Sequence, residues 1–95
     1  MADPKKILAD VPEPQLAFWF TNGVIAKNVY EFVSTIENCD KGVFEYHINS
    51  EKNDFYNWIL EVLGDEILAK RIKKEFDQKR FAKKIRRRIK ELEKV

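Results

Sequence analysis

Two apolar stripes near the C-terminus are out of phase, and that mismatch constrains the fold of this chain more than any other feature. Leu68, Ile72 and Phe76 recur every four residues, and Phe81, Ile85, Ile89 and Leu92 follow at spacings of four, four and three. Each set describes one face of an α-helix. The step from Phe76 to Ile85 is nine residues, which at about 100° per residue places the second stripe about half a turn from the first. Either the helix breaks near Asp77-Gln78, or one long helix shows opposite apolar faces to two different surfaces. The first stripe completes a core. The second has little left in the chain to pack on, and that surplus points to a partner.

Positive charge coincides with the second stripe. Residues 1–64 carry 5 basic and 10 acidic side chains, whereas residues 65–95 carry 13 basic and 6 acidic. Between Lys70 and Lys90 there are 12 basic residues against Glu75 and Asp77 alone, on a chain whose net charge is +2. Charge packed this way repels itself, and it calls for an anionic partner or a solvating role.

The rest of the sequence reads as one small domain. Residues 1–14 look like a flexible tail, punctuated by Pro4, Pro12 and Pro14. The runs Leu16-Ala17-Phe18-Trp19-Phe20 and Val24-Ile25-Ala26 flank Asn22-Gly23, which signals a two-stranded hairpin because both residues tolerate positive φ. Such a hairpin is barely stable alone and must lie on helices. Asn28 is suited to N-cap a helix whose face is Val29, Phe32, Val33 and Ile36, ending near Asn38-Cys39-Asp40. Residues 41–48 fit a strand or a helix, and a short helix is favoured. After the polar loop Asn49-Ser50-Glu51-Lys52, Asn53 or Asp54 caps a helix with the face Phe55, Trp58, Ile59, Val62 and Leu63. Gly64 is placed for a left-handed C-cap, and Asp65 opens the next helix. The expected fold is mainly α (small α+β): an N-terminal hairpin packed on about four helices, with a compact domain at 15–76 and a basic amphipathic extension at 77–95.

The stretch from Phe18 to Ile72 resembles a domain-of-unknown-function family of small archaeal and bacterial proteins. The resemblance rests on Phe18-x-Phe20-x-Asn22-Gly23, Phe44-x-Tyr46-His47-x-Asn49, Asn53-Asp54-Phe55-x-x-Trp58-Ile59, Leu63-Gly64-Asp65 and Leu68-Ala69. It covers a little over half of the chain. It implies a small, mostly helical module and implies no activity. The basic segment after Phe76 lies outside the matching part.

Several function classes are disfavoured. The single thiol, Cys39, cannot staple the fold or build a cysteine zinc site, which suits a reducing compartment. Neither a secretory h-region nor a run near the ~20 apolar residues of a membrane span is present, so a cytoplasmic location is expected. His47 with Asn49, Asn53 and Asp54 is the one cluster that resembles general-base chemistry. No nucleophile, metal-ligand set or phosphate-cradling loop accompanies it. The structural account is better: Asn53 and Asp54 cap a helix, Asn49 shapes a turn, and His47 bonds to one of them. Neither catalysis nor a cofactor is expected. Trp58 belongs on a core face, and Trp19 on a strand is the more exposed tryptophan.

The leading expectation is a non-catalytic nucleic-acid-associated protein, binding RNA (in a ribosomal setting, for example) or duplex DNA through its phosphate backbone. Lys79, Arg80, Lys83, Lys84, Arg86, Arg87 and Arg88 are the candidate contacts, since Lys and Arg displace condensed counterions. No helix-turn-helix, zinc-finger or RNP signature is present. The competing accounts are a solvated helix balanced by the acidic half, and a membrane surface, which ranks last because the stripe lacks Trp. The alternative function is a protein-interaction or homo-oligomerisation module that docks Phe81, Ile85, Ile89 and Leu92 on a partner.

Overall fold

A computed structural model describes residues 3–95. Within them the fold is mainly α with one small antiparallel hairpin, as the sequence patterns indicate. The elements are α1 (Pro4–Leu8), β1 (Phe18–Trp19), β2 (Ile25–Ala26), α2 (Val29–Asn38), α3 (Lys41–His47), α4 (Asp54–Trp58), α5 (Glu66–Ile72) and α6 (Gln78–Glu93). A 3-10 turn at Pro14–Leu16 leads into β1.

The hairpin pairs Phe18 with Ala26 and Trp19 with Ile25. Its turn is wider than a two-residue Asn-Gly loop. Gly23 N–H donates to Phe20 O (3.0 Å), Phe20 N–H donates to Val24 O (2.9 Å), and only Gly23 takes positive φ, at 93°. The Asn22 side chain instead accepts from Val24 N–H at 3.0 Å. Phe18 and Ala26 face the core, while Trp19, 59% exposed, faces out.

Side-chain caps start the helices where the sequence puts acceptors. Asn28 accepts from Glu31 N–H, Asn53 from Tyr56 N–H, Asp65 from Leu68 N–H and Asp77 from Arg80 N–H. After Trp58 the α4 helix widens into a π turn, Ile59–Leu63. Ile59 O accepts from both Gly64 N–H and Asp65 N–H, and Gly64 ends the element at φ 73°, ψ 21°.

The core is an aromatic knot closed by α6. Phe18, Phe20, Phe32, Phe44, Phe55 and Trp58 are buried with edge or tilted ring contacts, and Phe32 stacks on Trp58 at 4.8 Å. Trp58 Nε1–H donates to Leu16 O at 2.7 Å, which satisfies its one polar atom. The α6 helix packs across α2, α5 and α1. Gln78 fastens its first turn: Nε2 donates to Ile36 O (2.8 Å) and Cys39 O (2.9 Å), supplying partners to carbonyls that the end of α2 leaves open.

Three expectations are corrected here. The stripe Phe81, Ile85, Ile89 and Leu92 is not a partner-binding surface, because all four residues are buried. The short α5 and the two-residue strands leave one wall of the knot open, and the inner face of α6 fills it. The helix does break, but Lys73–Asp77 form the break, so Phe76 leaves the stripe of Leu68 and Ile72 and stands 55% exposed. The expected tail is also partly ordered. Asp3 caps α1 by accepting from Lys5 N–H, Pro4 sits in the first turn where a missing N–H costs nothing, and Ile7 is buried. Val11 N–H donates to Lys27 O at 2.7 Å. Residues 1 and 2 of that tail lie outside the described residues.

Candidate nucleic-acid interface

The α6 helix sorts its cations by direction. With Phe81, Ala82, Ile85, Ile89 and Leu92 facing inward, residues on the two flanks can reach the body of the protein and residues on the opposite ridge cannot. The seven candidate contacts divide accordingly.

Four of them are held by acids. Arg88 lies closest to the inner face, and its Nε and Nη2 donate to Asp65 Oδ2 and Oδ1 at 2.8 and 3.2 Å. The Asp65 side chain is 1% exposed and that of Arg88 13%. The π turn and Gly64 bring Asp65 to this position, where it also caps α5. Arg86 forks onto Glu37 at 2.7 and 3.0 Å. Lys84 Nζ lies 3.0 Å from Glu75 Oε1 and donates to Arg71 O at 3.1 Å. Arg80, largely exposed, reaches the same Glu75 at 3.4 Å. Arg71 Nη1 adds a fifth link, 2.9 Å from Glu91 Oε2.

These pairs shift the groups they join. The Arg86 guanidinium holds the Glu37 carboxyl below the usual carboxylate range. The Lys84 ammonium does the same for Glu75, with Asp77 N–H and Arg80 adding to the effect. Arg71 and then Arg88 lower Glu91. Arg88 itself is raised, chiefly by its hydrogen bonds to Asp65.

Lys79, Lys83 and Arg87 are exposed and form no ion pair among the described residues. Lys90 and Lys94, which were not among the candidate contacts, stand on the same ridge and are also exposed and unpaired there. Steps of 4, 4, 3 and 4 residues separate Lys79, Lys83, Arg87, Lys90 and Lys94, or about 4.5–6 Å each along the helix. Helical phase alone would have found Lys90 and Lys94, since they are the outward counterparts of the apolar stripe. An open depression of about 600 Å³ runs along this side, lined by Lys83, Arg87, Lys90 and Lys94, by the paired Arg80, Lys84 and Arg86, and by one acid, Glu91.

The His47 cluster takes the structural form. The buried ring accepts from Thr21 N–H at Nε2 (3.0 Å) and faces Asp54 Oδ2 at Nδ1 (3.0 Å). A lone pair on Nε2 requires the proton on Nδ1, so this nitrogen donates to Asp54. Lys52 Nζ is 3.2 Å from the same carboxylate oxygen. Asn49 Oδ1 accepts from Glu51 and Lys52 N–H, shaping the loop. Cys39 ends α2, and burial pushes its thiol up, away from the reactive thiolate. Among the described residues, no group of three or more His, Cys, Asp or Glu side chains is placed to hold a metal ion, and no helix is long and apolar enough to cross a membrane.

The chain matches no protein-family model, no curated protein and no solved structure.

Proposed function

We propose that the protein is a non-catalytic nucleic-acid-associated protein, RNA being the preferred ligand and a ribosomal setting a natural one, and that the outward ridge of α6 lies along phosphates. One observation carries this reading. Along α6 and its C-cap, Arg80, Lys84, Arg86 and Arg88 are ion-paired, and Lys79, Lys83, Arg87, Lys90 and Lys94 remain as a solvent-facing row without an ion pair among the described residues. A row of unpaired cations binds a polyanion by releasing its counterions, without reading sequence. A reducing, cytoplasmic setting suits the single thiol. The alternative of a docking helix loses its apolar face, which is spent inside the domain.

The test is a salt titration of binding to mixed RNA and to duplex DNA. Affinity is expected to fall steeply with salt. The triple variant Lys83→Gln/Arg87→Gln/Lys90→Gln should lower the log–log slope by about 3, roughly one per lost phosphate contact, with the melting temperature unchanged. Absence of binding at low salt, or binding indifferent to salt, would sink the proposal.

A further inference from the structure

The ridge of α6 runs at its N-terminal end into a second and larger depression, about 910 Å³, between α3, the end of α2 and the first turns of α6. Arg80 and Lys83 line both depressions. Phe76, 55% exposed, stands in the second one beside Lys79 and Lys83. The three acids on its walls are engaged within the protein. Glu37 is held by Arg86, Glu45 faces Lys41 at 3.9 Å, and Asp77 caps α6 through Arg80 N–H at 2.9 Å. What the cleft offers a ligand is therefore one exposed aromatic ring, Phe76, and the ammonium groups of Lys79 and Lys83, which are unpaired among the described residues and one helical turn apart.

We infer that this cleft takes an unpaired nucleobase stacked on Phe76, with the adjoining phosphates on Lys79 and Lys83, so that the preferred ligand is single-stranded or carries an unpaired end. The inference rests on the phosphate reading of α6 and adds to it which form of nucleic acid the ridge selects. A ridge of cations alone gives a single strand no advantage, since the duplex presents the denser array of phosphates. An aromatic ring beside the ridge gives it one, because a base is free to stack on it only when it has left a helix. Stacking of this kind tolerates any base, which agrees with a wall that carries no cluster of amide side chains to read base edges.

The experiment compares a labelled single-stranded oligonucleotide with the blunt duplex of the same sequence, at matched phosphate concentration, for the wild type, Phe76→Ala and Phe76→Tyr. Wild type is expected to favour the single strand by roughly tenfold, within what stacking of one base supplies. Phe76→Ala should erase that preference and leave the salt slope unchanged, and Phe76→Tyr should keep it. Thermal melting shows that the variants are folded; the side chain is exposed, so no change is expected. Equal affinity for the two forms in the wild type, or a preference that survives Phe76→Ala, overturns the stacking site while salt-dependent binding leaves the phosphate ridge standing. Absence of any binding at low salt overturns both.

Discussion

Arg87 and Arg88 are neighbours in sequence, and the protein uses them in opposite ways. Arg88 is folded into the flank of α6, with two hydrogen bonds to a carboxylate that is itself cut off from water. Arg87 stands exposed on the ridge and forms no ion pair among the described residues, Glu91 one turn on being held by Arg71 and Arg88. The same contrast runs the length of the helix: Arg86 against Lys83, Lys84 against Lys90. One step of about 100° decides it. A count of basic residues therefore overstates how much charge α6 can offer a ligand, and the part that remains is more ordered than the count suggests. The paired cations hold the helix down, and the unpaired ones are presented by it.

Three changes probe that contrast. The largest effect is expected on the inner face. Phe81→Ala should cost about 3–5 kcal/mol in denaturant unfolding, because it empties a fully buried site between Phe44 and Phe55. A loss below about 1 kcal/mol would mean that α6 does not close the core. Next comes the buried ion pair. Arg88→Ala should cost about 3 kcal/mol, since Asp65 would be left buried without its cation. If Arg88→Ala and Arg87→Ala melt alike, the division between flank and ridge is wrong.

The smallest effect belongs to the exposed flank pairs and shows in the pH dependence. Glu37 and Glu75 are held below the usual carboxylate range. A depressed carboxyl contributes stability above its unfolded pKa and loses it as pH falls through the folded value. The stability these two pairs contribute should therefore be level near neutral pH and be lost below about pH 4–5. Arg86→Ala should remove the Glu37 share of that loss and cost about 0.5 kcal/mol at neutral pH, as half-exposed pairs do. A loss identical to wild type would show that the Glu37 pair adds nothing.

Much of the fold was legible in the sequence, because helix caps and stripes are local signals. Asn28, Asn53, Asp65 and the faces of α2 and α4 are where spacing and side-chain chemistry put them. Three features were not legible. Phe76 continues the four-residue rhythm of Leu68 and Ile72, yet the helix has already ended, and periodicity carries no marker of where a turn begins. Pro4 reads as punctuation in the sequence yet starts a helix, a position proline also favours. The second apolar stripe points to a partner in the sequence because the area that a hairpin and short helices leave uncovered cannot be read along the chain. The site was half legible. Charge density marked α6, but the pairing that removes Arg80, Lys84, Arg86 and Arg88 from the free set joins residues 5 to 49 positions apart.

His47 has a use beyond holding the hairpin turn. It is the chain's sole imidazole, and it sits at the seam between the Thr21 turn and α4. A single ring with a fixed tautomer is a built-in spectroscopic probe. Its two nitrogen resonances should differ widely while Thr21 N–H remains on Nε2. Their convergence would report the hairpin lifting from the helical body with no reporter group attached to the protein.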